Sequence, residues 1–288
     1  MIKDLIAKFI KKTIAHFYLL EKHRNTDGWI SSALRKKEYR DKPYLGLVKS
    51  TNYVLLKKVD TVINQIEKYR LEVGLERKDT YILDVGCGSD LIYTMPLTSL
   101  GYRVLGIDID EDTVARAKKS SADYKNVEIM AGDAIEILEK MDKTFDAVLA
   151  FDVLEHMKYK DAERLSQIIA KRLKPGGFFY VITPDGYSET ETFTFIIGYY
   201  LVKTFVIKGD FKKGASHIER FTLKLLEKMI TNCGLKYEFI TGFYSTRLPF
   251  ILTLFGGLRG YPMYLNIKLA RYLPKFMTNS WLVCGRKG

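Results

Sequence analysis

The chain has 288 residues, 47% hydrophobic and 13% aromatic, which is enough to bury a sizeable core and unlike a disordered or fibrous protein. Its 46 lysines and arginines against 34 acids give a formal net charge of +12, a balance that favours anionic surroundings such as anionic lipid, nucleic acid or phosphorylated molecules. Three cysteines, Cys87, Cys233 and Cys284, stand too far apart for a disulfide framework or a metal-ligand spacing, so no metal is expected and a reducing cytoplasm fits.

Residues 1–24 show a helical pattern, with Ile2, Leu5, Ile6, Phe9 and Phe17 on one side and Asp4, Lys8, Lys11 and Lys12 on the other. Such a helix packs on its own domain or lies on an anionic membrane surface. Trp29 to Arg40 reads as a short helix ending before Pro43. Leu47 to about Val73 reads as a long one, with Gly74 as its stop. Residues 1–79 are therefore expected to form a helical N-terminal cap.

From Thr80 to Pro184 strands alternate with helices, the signature of a parallel sheet wound with crossovers. Strands are expected near 81–85, 103–108, 126–130, 145–151 and 177–183, and helices near 91–100, 111–122, 134–141 and 159–173. Pro96 makes the first helix short or kinked. The run Tyr81 to Val85 suits a strand covered on both faces, and Gly86 and Gly88 let the backbone turn tightly after it. Asp84 then puts a carboxylate at the strand's C-terminal end, where ligands sit in open α/β sheets. A Gly-x-Gly alone is often a plain turn, but a second buried strand follows, 102–110, and ends in Asp108. An acid at that distance from a glycine loop is placed to bond both hydroxyls of a ribose. Leu91 stands where a dinucleotide fingerprint would need glycine, and Asp84 adds an acid before the loop. Both argue for a nucleoside ligand other than a pyridine dinucleotide.

Residues 185–216 are rich in Phe, Tyr, Ile and Val, then turn basic at Lys208, Lys212 and Lys213. An apolar wall with a cationic rim suits an amphiphilic molecule. The longest apolar stretch, 193–207, is broken by Gly198 and Lys203 and falls short of the roughly 20 residues a membrane span needs. Phe221 to Asn232 reads as a helix with Thr222 as its N-cap, Leu235 to Phe243 as a strand, and Trp281 to Gly285 as the last strand. Between them, 244–276 is another aromatic and basic stretch.

Asp-Val-Gly-Cys-Gly at 84–88 resembles the first motif of class I S-adenosylmethionine-dependent methyltransferases. Gly-Ile-Asp-Ile at 106–109, Ala-Gly-Asp-Ala at 131–134, Phe-Asp-Val-Leu-Glu-His at 151–156 and Leu-Lys-Pro-Gly-Gly at 173–177 follow in the family's order. A looser match, His-Ile-Glu-Arg-Phe-Thr at 217–222, is similar to the subgroup of quinone-ring and other small-molecule O-methyltransferases. The family usually has a third glycine where this chain has Asp90.

The resemblance implies an α/β, Rossmann-like, doubly wound and mostly parallel seven-stranded sheet. It implies a helical cap over 1–79, a cofactor-binding core over 80–184, a lid insertion over 185–220 and a C-terminal part of the core over 221–288. S-adenosyl-L-methionine is the implied cofactor. Asp84, Gly86, Cys87 and Gly88 would hold its methionine portion, and Asp108 its ribose. Ile109 would pack on the adenine, Asp133 would accept from the adenine amino group with Ala134 close by, and Phe151 and Asp152 would lie beside the sulfonium. Tyr39, Arg40 and Tyr44 are further candidates near the methionine end.

Methyl transfer from a sulfonium needs alignment and exclusion of water, and a hydroxyl acceptor also needs a base. His156, His217 and Glu155 are the candidates. The expected acceptor is a small or lipid-like molecule, methylated at oxygen, with an anionic membrane surface as a further partner and a cytoplasmic location, peripheral at the membrane. The competing readings are an RNA or tRNA methyltransferase and a non-catalytic cofactor-binding module. Nucleic acid is the weaker partner, because the basic residues are scattered and Phe-Asp-Val-Leu stands where base-methylating enzymes carry Asn-Pro-Pro-Tyr. Nothing in the sequence sets the oligomeric state.

Overall fold

The computed structural model describes residues 40–48, 53–184, 218–243 and 280–288, together with Leu269, Tyr272 and Thr278. Their centre is a seven-stranded sheet formed by β1 (Tyr81–Val85), β2 (Arg103–Asp108), β3 (Val127–Ala131), β4 (Phe145–Phe151), β5 (Leu173–Pro184), β6 (Lys236–Gly242) and β7 (Ser280–Arg286). The strand order is β3-β2-β1-β4-β5-β7-β6. The pairs among β1 to β5 are all parallel, and β7 enters antiparallel between β5 and β6. This is the doubly wound, mostly parallel seven-stranded sheet expected. Its order reverses between β1 and β4, and a ligand crevice opens at such a switch point.

The two-residue period of the strands sorts their side chains onto two cores. Leu83, Val85, Val148, Ala150, Phe179 and Val181 face one layer. It is built from α4 (Ala134–Lys140), α5 (Tyr159–Arg172) and α6 (Leu223–Asn232). Ile82, Val104, Ala147, Leu149, Tyr180 and Ile182 face the other, which holds α1 (Tyr53–Glu72). The buried stripe of α1, Leu56, Val59, Val62, Ile63, Ile66 and Tyr69, recurs at three- and four-residue steps and lays the helix on that face. A smaller cluster joins Cys87, Leu91 and Met95 of the first crossover to Val114 and Ala117 of α3 (Glu111–Ser120).

Several boundaries differ from expectation. The chain near Leu47 is a 3-10 turn, Pro43–Leu47, with α1 beginning at Tyr53. The first crossover helix, α2, is confined to Thr94–Ser99, with Pro96 in its first turn, as a helix that must start around a proline. β5 starts four residues early, at Leu173. Leu173 pairs with Phe145, and the register then shifts so that Phe178 pairs with Ala147. Gly176 at φ +77° and the close approach of Gly177 to the Asp146 carbonyl let the Lys-Pro-Gly-Gly segment stay on the sheet as an irregularity. The Thr222 hydroxyl accepts from Leu225 N and caps α6 as predicted. The helices expected over 1–24 and 29–40, and the stretches 185–216 and 244–276, lie outside the described residues apart from Arg40, Leu269 and Tyr272.

Candidate functional site

In the β1–β2 register Asp84 lies opposite Gly106, so Asp108 projects on the same face two residues further along. The glycine turn joins these two tips. Gly86 N and Cys87 N both donate to the Ile107 carbonyl, at 2.7 and 3.1 Å. Gly88 N donates to Asp108 Oδ2 at 3.0 Å. These three bonds fasten the turn to β2. Glycine is needed for shape: Gly86 and Gly88 sit at φ +71° and +66°, and a Cβ on Gly86 would meet Val153 Cγ2 at 2.4 Å. A Cβ on Gly88 would meet nothing within 4 Å, so its open face borders the crevice. Cys87 is buried, its thiol turned toward Gly106 and its ionisation pushed well up by burial. It contributes packing here.

Two positions near the turn behave against residue type. Asp90 is not among the residues with positive φ, so a glycine is not required there. Leu91, in contrast, adopts φ +49°. That conformation is strained for a leucine, and its fully buried side chain in the small third core offsets the strain.

Asp84 is 2% exposed, and its Oδ2 accepts from the Thr94 hydroxyl at 2.6 Å. Burial, with the nearby Asp108 charge adding to it, pushes its carboxyl up to about 7 despite that bond. No lysine or arginine pairs with it among the described residues. Asp108 is half-buried at the mouth, with Oδ1 accepting from Asp110 N at 3.1 Å, and each of its oxygens keeps a further lone pair. Ile109, next along, is 73% exposed and presents an apolar surface to the same edge. Asp133 caps α4 by accepting from Ile135 N at 2.7 Å, and Ala134 is the helix's first residue.

Across the crevice the tip of β4 carries Phe151, buried, and Asp152, exposed and held at φ +53°. Asp152 N donates to Ile182 O of β5 at 2.8 Å. Its carboxylate takes Lys58 Nζ of α1 at 3.3 Å to each oxygen. Glu155 is 3% exposed and accepts from the Thr183 hydroxyl at 3.3 Å. Its carbonyl accepts from Ile218 N and Glu219 N, tying the returning chain to the crevice. Burial, then the Asp152 charge, push the Glu155 carboxyl up to about 7. His156, on the same 3-10 turn, is exposed. His217 and Tyr39 lie outside the described residues. Arg40 is exposed, and the Tyr44 hydroxyl donates to Asp60 of α1 at 2.9 Å.

The structure adds four residues the motifs did not point to. Lys58 had a signal: it falls three residues after Leu55 and four before Val62, inside an apolar stripe where a lysine must be answered by a charge. Thr183 sits one residue from the end of β5, the strand-end position that favours ligand contact. Thr94 and Tyr93 follow the glycine turn with no pattern to mark them.

Residues 83–181 match a family model described as a methyltransferase domain. The chain is 34% identical over 166 residues to the mitochondrial ubiquinone biosynthesis O-methyltransferase of Homo sapiens, covering 56% of this chain and 42% of that protein. It is 30% identical over 149 residues to the ubiquinone biosynthesis O-methyltransferase of Coxiella burnetii, covering 51% of this chain and 62% of that one. The chain thus spans about half the length of these curated relatives. Among solved structures it is similar in fold to the magnesium protoporphyrin IX methyltransferase of Synechocystis PCC 6803, crystallised with bound SAH. The TM-score is 0.52 at 13% identity, over 89% of this chain and all of that one.

Proposed function

We propose that the protein, whose residues 83–181 match a methyltransferase-domain model, is a class I, S-adenosylmethionine-dependent enzyme that transfers a methyl group to oxygen on a small-molecule acceptor. One observation carries this reading: Asp84 and Asp108 converge from adjacent strand tips across a turn pinned by the Gly88–Asp108 bond.

The crevice fits that cofactor. Asp84, Asp108, Asp152 and Glu155 gather at one edge, with Lys58 the cation that ion-pairs among them. A ligand that remains cationic after its own carboxylate is counted, through its ammonium and sulfonium, offsets part of this negative charge, as a neutral nucleoside would not. The open face beside Gly88 admits the methionine end, the lone pairs of Asp108 suit a ribose diol, and exposed Ile109 offers the adenine an apolar surface. The cofactor supplies an electrophilic methyl group, which the protein need only align and keep from water. Asp133 and Ala134 stand at the adenine end, with Phe151 and Asp152 at the reacting end.

Of the three basic candidates, we assign the acceptor's proton to His156. It is exposed on the turn that follows Asp152, whereas the Glu155 side chain beside it is buried. Glu155, nearly sealed and clasping Thr183 and 218–219, is a positioning residue.

The names of the relatives support an acceptor with a ring hydroxyl, as in ubiquinone biosynthesis. The chain leaves the sheet after Pro184 and after Gly242, and returns at Ile218 and Ser280, all at the carboxyl edge that bears the crevice. That anchoring supports assigning 185–220 and the aromatic, basic residues after 243 to acceptor recognition, beside the cap of 1–79. The +12 charge supports contact with an anionic membrane surface, where a lipid-like acceptor would be met. No described helix is long and apolar enough to cross a membrane.

The test is transfer of labelled methyl from S-adenosylmethionine into a whole-cell extract fractionated into lipid, RNA, protein and small molecules. Label in the lipid or small-molecule fraction is expected; label confined to RNA contradicts the acceptor class.

A further inference from the structure

Tyr93 has no part in the motifs, and its environment is unusual. It is 8% exposed, yet its hydroxyl has no hydrogen-bond partner among the described residues. Such a group is costly to bury unless something else satisfies it. The ring lies 4.5 Å from that of Phe151, at the tip of β4. The hydroxyl lies in the fields of Asp152 and Asp84, which add to burial in pushing its ionisation well above the usual range, so it stays a neutral O–H. The next residue, Thr94, is the one that bonds Asp84. A buried oxygen without a partner among the described residues thus lies beside Phe151 and next in sequence to Thr94, within the influence of two of the crevice's carboxylates.

We propose that the Tyr93 hydroxyl is a binding group for the amino-acid end of the cofactor, accepting a hydrogen bond from its ammonium beside Asp84. This rests on the cofactor assignment above. The chemistry favours a primary ammonium, which has three N–H donors to distribute and no need to displace Lys58 from Asp152. Asp84 supplies the charge, and Tyr93 supplies a neutral acceptor that stays intact when the carboxyl takes up a proton.

The test compares wild type with Tyr93→Phe by calorimetry, using S-adenosylhomocysteine, which has the amino-acid end, and 5′-methylthioadenosine, which lacks it. Thermal melting of the ligand-free proteins is measured alongside. The variant should bind S-adenosylhomocysteine about five- to tenfold more weakly, a change typical of one lost hydrogen bond. It should bind methylthioadenosine within twofold of wild type and melt at the same or a higher temperature, since an unpaired buried hydroxyl is gone. Equal losses for both ligands, no loss for either, or a lowered melting temperature would overturn the inference, because the hydroxyl would then be serving the fold. Wild-type protein that binds neither ligand overturns the cofactor assignment together with the inference.

Discussion

The two ends of the crevice are built differently. At the β1–β2 end, Asp84, the glycine turn and Asp108 lie within one strand-turn-helix-strand unit, and main-chain bonds from Gly86, Cys87 and Gly88 fix their geometry. At the β4–β5 end, Lys58 reaches Asp152 across 94 residues, and Glu155 joins Thr183 to the chain returning at Ile218 and Glu219. The first end is a backbone device that would hold a common ligand. The second is assembled from side chains of distant segments, each free to change with the acceptor. Binding energy for the cofactor should therefore concentrate at the first end, and turnover should depend on the second.

The sharpest way to break that division is Asp84→Asn, which keeps shape and removes charge. Cofactor affinity should fall about 100-fold, or about 2.7 kcal/mol, as for a buried charged partner removed. Calorimetry that shows less than a threefold loss would move the binding energy elsewhere. At the other end, His156→Ala should lower kcat about 100-fold, within the usual range for a lost general base, and leave the cofactor Kd within about twofold. A variant that loses both together would erase the distinction between the ends.

The pH dependence gives a smaller effect with a definite sign. Asp84 and Glu155 have carboxyls raised to about 7, so the ligand-free fold prefers them protonated. Their contribution to stability is present below the unfolded pKa, near 4, and is lost as pH rises through about 7. A cationic ligand reverses that preference at Asp84. Its affinity should weaken by up to about tenfold per unit as pH falls below 7. The rise in melting temperature that it causes should be larger at pH 8 than at pH 6. An equal rise at both would mean that Asp84 does not face the charge.

The same contrast decides what the sequence disclosed. The β1 run, its glycines and the acid ending β2 are local features, and the seven-stranded sheet was legible through the motifs' resemblance to a known family. Leu91 shows the limit even there: nothing in a leucine's identity announces a left-handed backbone, which the surrounding core imposes. The amides of Gly86 and Cys87 are both taken by the carbonyl of Ile107, on another strand, a pairing that no local pattern encodes. Lys58 was legible only as an anomaly in a helical stripe, since its partner is set by the docking of α1 on the sheet. Tyr93 stands out because its hydroxyl has no partner among the described residues, and no sequence pattern encodes that.

Whether Asp108 and Asp84 together grip one sulfonium nucleoside is tested most directly by titrating S-adenosylmethionine into wild type and Asp108→Ala by calorimetry. One-to-one binding to wild type, weakened at least about tenfold in the variant, is the predicted result. Unchanged affinity in the variant, or no uptake by wild type, would contradict it.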